Sequence, residues 1–285
     1  MEIFKLGGYQ ARKRWLSSVK ILNETRDSPP RKGKNMSFRY NGITGHRGNP
    51  ARAPENTLES FENAMRIGVD FVETDVHLTA DGRLMLCHNA DTEATCGERL
   101  VISESTSEQL RRLDASTAFN GCHETPFQPT KVPFLEEFLE LGRAYPDVRL
   151  SLQPKAPCVA EICETVKRMG MSGQIAFNDG NLEYMLEAKR RIPESVIFYD
   201  THGALQLEEG IAIAQKAGFF SIVSHYPQMT QERCDAIRAA GLEAGVWNVD
   251  DLDDIRRFMK RGVFRFYTNR PEDALKLRQE IDLNP

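Results

Sequence analysis

The chain has 285 residues and a mass of 32.3 kDa, with 40% hydrophobic and 27% charged residues, a profile that excludes collagen, low-complexity polymers and wholly disordered chains. Its 37 basic and 41 acidic residues leave a net charge of -4, so the strongly basic field of a dedicated nucleic-acid binder is absent. The charge is uneven: residues 1–42 carry ten Lys/Arg against three Asp/Glu, and the remainder carries 27 against 38.

The N-terminal stretch holds the basic run Arg12-Lys13-Arg14 and then Pro29-Pro30-Arg31-Lys32-Gly33-Lys34, which opposes helix and strand alike. It predicts a mobile basic arm over 1–42. No apolar run of secretory-signal length follows these charges, and no stretch of about 18 apolar residues offers a membrane span. The six cysteines, Cys87, Cys96, Cys122, Cys158, Cys163 and Cys234, form no C-x-x-C pair. Each reads as a small buried hydrophobe in a reducing compartment, which points to the cytoplasm.

From residue 43 onward, short apolar runs alternate with amphipathic segments, the signature of a parallel sheet wrapped by helices. Strands are predicted at Ile43 to His46, Val69 to Asp75, Val148 to Gln153, Gln174 to Phe177, Val196 to Tyr199, Phe219 to Val223, Ala244 to Trp247 and Phe264 to Thr268. Helices should follow at 57–67, 134–143, 158–169, 181–190, 207–217, 230–240, 251–261 and 271–281. Eight strand-helix pairs predict an α/β fold of the TIM (β/α)8 barrel type, one domain over 43–285. The leftover run Leu84 to His88 is too close to the second strand for a parallel crossover, so it should return as a hairpin. A two-residue Asp81-Gly82 turn would pair Ala80 with Arg83 and set Asp75 opposite His88. Residues 89–132 read as an irregular Ser/Thr/Glu-rich excursion over the catalytic end of the barrel, completing an insertion over 76–132.

Barrel enzymes carry their chemistry at the C-terminal ends of the strands. Those ends bear His46-Arg47, Glu73 and Asp75, His88 from the hairpin, Gln153 and Lys155, and Trp247-Asn248. The i, i+2 spacing of Glu73 and Asp75 turns both carboxylates to one face of a strand, which suits oxygen ligands to a hard cation such as Mg²⁺ or Ca²⁺. Arg47 and Lys155 suit phosphate oxygens, and the two histidines suit acid and base work near neutrality. Taken singly, each has a plainer role: a salt-bridged carboxylate, a hydrogen-bonded structural histidine, a packed tryptophan. Their joint place at one end of one barrel favours chemistry.

Several motifs then carry a resemblance. His46-Arg47-Gly48, Pro54-Glu55-Asn56-Thr57, Gly68-Val69-Asp70, Val72-Glu73-Thr74-Asp75-Val76, Asp81-Gly82 and His88 run in order, followed by Val132-Pro133, Val246-Trp247-Asn248-Val249 and Thr268-Asn269-Arg270-Pro271. Together they resemble the glycerophosphodiester phosphodiesterases, a family of phospholipase-C-like TIM barrels, over about residues 43 to 275. The resemblance implies acid-base catalysis by His46 and His88, phosphate binding by Arg47 and Lys155, a substrate pocket at Trp247, and one divalent ion, Mg²⁺ or Ca²⁺ with Mn²⁺ as an alternative, at Glu73, Asp75 and Gln153. Three departures stand out: Gln153 where the family has a third metal-binding carboxylate, and Asn89 and Asn269 where it usually has Asp. The expected function is hydrolysis of a glycerophosphodiester or sugar phosphodiester, a small-molecule substrate. Alternatives are ester synthesis or exchange, as in the related agrocinopine synthases, and a catalytically silent barrel that binds a phosphorylated ligand.

Overall fold

The computed structural model describes residues 42–201, 206–263 and 265–283. The predicted basic arm, Gly42 excepted, lies outside the described residues. The elements run in the order β1 (Ile43–Gly45), α1 (Leu58–Arg66), β2 (Phe71–Leu78), β3 (Leu84–Leu86), α2 (Glu93–Cys96), a 3-10 turn (Ile102–Glu104), α3 (Ser107–Leu110), α4 (Thr117–Cys122) and α5 (Leu135–Arg143). They continue with β4 (Arg149–Pro154), α6 (Val159–Arg168), β5 (Ile175–Asp179), α7 (Leu182–Arg191), β6 (Val196–Asp200) and α8 (Leu207–Ala217). The last are β7 (Ser221–His225), α9 (Gln231–Ala239), β8 (Glu243–Trp247), α10 (Leu252–Lys260), β9 (Arg265–Thr268) and α11 (Pro271–Leu283).

Among the described residues, β1, β2 and β4 to β9 form a parallel sheet that closes on itself, because β1 pairs with both β2 and β9. Both faces are covered, which is why strands such as Val196–Asp200 are buried throughout. Side-chain caps fix where several helices begin: Thr57 accepts from Ser60 N, Asn181 from Tyr184 N, and Asp251 from the backbone N of both Asp253 and Asp254. Inside the barrel, Arg265 is buried with its guanidinium 4.2 Å from the Phe71 ring centroid and 3.0 Å from that of Phe198, and its Nη2 donates to Tyr267 Oη.

The hairpin returns as expected but in a different register. Leu78 faces Leu84 and Val76 faces Leu86, so the loop is Ala80-Asp81-Gly82, three residues rather than two. Gly82 takes φ +74°, and Thr79 closes the loop by accepting from Arg83 N through Oγ1 at 2.9 Å and donating its own N–H to Arg83 O. The shift puts Cys87, not His88, against Asp75, whose carbonyl accepts from Cys87 N at 3.1 Å. The excursion is also more ordered than its composition suggests. Cys96, Ile102, Leu110, Ala115 and Val132 build a small core with Met85 and Cys87 of the hairpin arm, and the excursion contributes none of the residues that line the cavity described below. Of the cysteines, Cys122 is exposed and the other five are buried, with burial pushing the Cys87, Cys158 and Cys163 thiols up to about 12.

Candidate active site

A cavity of about 230 Å³ opens at the C-terminal end of the barrel. The turn after β1 supplies its first two groups. A Cβ on Gly48, whose φ is +92°, would strike Ser60, so the chain reverses there only with glycine. Arg47 itself adopts a left-handed φ of 57°. It is held by Arg47 N donating to Glu73 Oε2 at 3.1 Å, and by Asn56 N and Ser60 Oγ donating to its carbonyl. Its guanidinium is aimed by Glu55, both of whose carboxylate oxygens lie 3.0 Å from Nη1.

Glu73 and Asp75 stand two apart on β2, 1% and 0% exposed. Asp75 Oδ2 accepts from Asn56 Nδ2 at 3.0 Å and lies 3.4 Å from Arg47 Nε. Lys155 Nζ is 3.1 Å from Asp75 Oδ1 but off the line a hydrogen bond needs, so that buried oxygen has no hydrogen-bond partner among the described residues. Burial works against the Asp75 charge, but Lys155 and Arg47, with His88 and Asn56, hold the carboxyl below its usual range. Glu73 goes the other way: burial, then the neighbouring Asp75 charge, push it up to about 8. Two buried carboxylates, one short of countercharge and one with an orphaned oxygen, fit a divalent cation.

Gln153 sits beside Asp75 in the β2–β4 register. Its Nε2 donates to Asp179 Oδ2 at 3.1 Å, which leaves the carbonyl oxygen as its donor atom toward a cation. No group of three or more His, Cys, Asp or Glu among the described residues is arranged to hold a metal, so a cation here would rest on two carboxylates and a neutral oxygen such as that of Gln153.

His46 and His88 both line the cavity. Burial, then Arg47, push the His46 ring down to about 4. Its Nδ1 lies 2.9 Å from Asn269 Oδ1 and 3.1 Å from Asn248 Nδ2, while His88 Nδ1 lies 2.8 Å from Asn89 Oδ1. Of the residues expected at the site, His46, Arg47, Glu73, His88, Gln153, Lys155 and Trp247 line the cavity; Asp75 lies behind them, beneath Arg47 and Lys155. Sequence reading missed Asn178, Phe198, Asp200, Val223 and Tyr267, which line the remaining wall. Asn178, Asp200 and Tyr267 sit at or next to the C-terminal ends of their strands, the one signal that could have found them, whereas Phe198 and Val223 sit midway along theirs. Glu55 and Asn56 were visible as motif residues without a role; the structure gives them one, as props for Arg47 and Asp75.

Residues 46–273 match the glycerophosphoryl diester phosphodiesterase family. A glycerophosphodiester phosphodiesterase of Caldanaerobacter subterraneus subsp. tengcongensis is 25% identical over 241 residues, 82% of this chain and 96% of that one. Another, of Bacillus altitudinis, is 27% identical and covers 84% of this chain and 98% of its own. In fold, the chain is similar to the crystal structure of a putative glycerophosphoryl diester phosphodiesterase from Silicibacter pomeroyi, with a TM-score of 0.75, 24% identity and coverage of 85% and 94%. It is equally similar to an Oleispira antarctica phosphodiesterase in complex with the product sn-glycerol-3-phosphate, with a TM-score of 0.75, 21% identity and coverage of 84% and 96%. With the family's sequence pattern running through the whole barrel, the chain belongs to the glycerophosphoryl diester phosphodiesterase family, whose members are phosphoric diester hydrolases.

Proposed function

We propose that the protein hydrolyses a glycerophosphodiester or related sugar phosphodiester to a phosphomonoester and an alcohol, by acid-base catalysis at His46 and His88. The observation that carries this reading is the convergence of two imidazoles and two cations, Arg47 and Lys155, on one cavity at the catalytic end of the barrel. Arg47 and Lys155 both lean on Asp75, so their positive ends are gathered before substrate arrives, and a phosphate there takes two non-bridging oxygens to them. His46, neutral at pH 7 by its lowered pKa, takes the proton of the attacking hydroxyl as oxygen bonds to phosphorus. His88 gives a proton to the alcohol oxygen as its bond to phosphorus breaks. The attacking group is water or a neighbouring substrate hydroxyl, the latter passing through a cyclic phosphate. Glu73, Asp75 and the Gln153 carbonyl would hold a divalent cation, Mg²⁺ or Ca²⁺, whose charge when bound adds to that of the two basic residues on the phosphoryl oxygens. Trp247 walls the side of the cavity that receives an alcohol group.

Incubation with glycerophosphodiesters and sugar phosphodiesters in the presence of Mg²⁺ or Ca²⁺, read by phosphorus NMR, tests the reading. Release of a phosphomonoester is expected. A new diester and no monoester would mark an exchanging enzyme, and line broadening alone a binding protein; either would overturn it.

A further inference from the structure

The Nδ1 atom of His46 has two asparagine neighbours that make opposite demands. Asn269 Oδ1, 2.9 Å away, needs a proton on that nitrogen; Asn248 Nδ2, 3.1 Å away, needs a lone pair there. A neutral imidazole can satisfy only one of them, and the choice decides which ring nitrogen is left to act as a base.

Asp250 settles the competition. Asn269 Nδ2 donates to Asp250 Oδ2 at 2.7 Å, and an ionised carboxylate only accepts, so the Asn269 amide cannot turn over to offer its nitrogen to the ring. Asp250 is itself fixed through Oδ1, which accepts from Asn269 N at 2.7 Å and from Thr268 Oγ1 at 3.0 Å. Three charge-assisted bonds hold this arm, each roughly twice as strong as a neutral one, against the single neutral contact of Asn248. We propose that Asp250 is a positioning residue for the reaction: acting through the Asn269 amide, it keeps the His46 proton on Nδ1 and leaves the Nε2 lone pair free to accept the proton of the attacking hydroxyl. The proposal rests on the reading of His46 as the base. The same arm serves the charged form, because the Asn269 oxygen still accepts from Nδ1–H after Nε2 has been protonated.

Asp250→Asn tests it. An asparagine side chain at this position that keeps its oxygen on Asn269 N and Thr268 Oγ1 must turn its nitrogen toward the Asn269 side chain. Asn269 then flips, offers its own nitrogen to His46, and drives the ring proton to Nε2. Turnover should fall by about 10²- to 10⁴-fold with KM little changed. Nitrogen-15 NMR of the His46 ring should show the Nδ1–H tautomer in the wild type and the Nε2–H tautomer in Asp250→Asn. The exchanged pair Asp250→Asn/Asn269→Asp places the carboxylate next to the ring, where it accepts from the amide nitrogen introduced in place of Asp250. It should recover the Nδ1–H tautomer and most of the lost kcat.

An Nε2–H tautomer in the wild type overturns the proposal, as does wild-type kcat in Asp250→Asn or an exchanged pair no faster than the single variant. Should Asp250→Asn fail to fold, the wild-type tautomer and the exchanged pair still decide. The two readings fail differently: a protein that hydrolyses no phosphodiester still reports its His46 tautomer.

Discussion

Gln153 shows how much one residue's neighbours decide. Its position at a strand end was legible in the sequence, because a barrel puts chemistry there. What its amide does was not, since that depends on Asp179 from the next strand, 26 residues on, which binds Nε2 at 3.1 Å. The same holds for Asn269 and Asp250, 19 residues apart in the chain and 2.7 Å apart in space. Cross-strand partners of this kind follow from register, which composition and periodicity leave open. If Glu73, Asp75 and Gln153 share one cation, Gln153→Glu adds a third charge and also sets a carboxylate against Asp179, so cation binding gains twice. Isothermal titration with Mg²⁺, Ca²⁺ and Mn²⁺ should rank affinity as Gln153→Glu above wild type, wild type above Gln153→Ala, and Glu73→Ala lowest, because it removes charge as well as a ligand. Equal affinity in all four would falsify the shared site.

At the scale of elements, the Asp81 side chain at the tip of the β2–β3 hairpin adds to the apolar core and the Ala80 N to Ser105 O bond that join the hairpin to the excursion. Asp81 Oδ1 accepts from Thr79 Oγ1 at 2.5 Å and from Ser107 N at 2.9 Å, and Oδ2 accepts from Ser107 Oγ at 2.7 Å. These bonds, Thr79's and Ser107's hydroxyls first, hold the carboxyl down to about 2 from its ordinary 3.8. A carboxyl lowered in the folded state stabilises it above the ordinary value, and that contribution drains away as pH falls from 3.8 through about 2. Asp81→Asn should therefore lower the urea midpoint at neutral pH, and the gap to wild type should close as the pH approaches 2. A gap constant with pH would contradict this. The Asp-Gly pair announced the turn, but loop length was beyond it, because the third loop residue is admitted by the Thr79 hydroxyl bonding Arg83 N.

Over the whole molecule, the two ends of the barrel divide the work. The eight strand-helix pairs were readable because each strand is an apolar run bounded by turn residues and each helix an amphipathic stretch, and both patterns are local. At the N-terminal end, Asp70 fastens the closure. It accepts from Ile43 N at 3.0 Å and from Arg278 Nη1 of α11 at 2.6 Å, tying the last helix to the first strand. Asp70→Ala should cost about 1.5–3 kcal/mol in urea unfolding, as bonds to a charged group do, while kcat stays at the wild-type level. Loss of turnover in the folded variant would mean that the two ends are not separable. Among the described residues no helix is long and apolar enough to cross a membrane. At the opposite end, His46 and His88 face one cavity, the place of the proposed chemistry. The most direct measurement is the rate at which a glycerophosphodiester becomes a phosphomonoester, followed by phosphorus NMR with Mg²⁺ present, for the wild type, His46→Ala and His88→Ala, each checked for an unchanged melting temperature. The wild type should release monoester and each variant should slow by about 10²- to 10⁴-fold, the usual worth of acid-base assistance; release at the wild-type rate by either folded variant, or none by the wild type, would contradict the account.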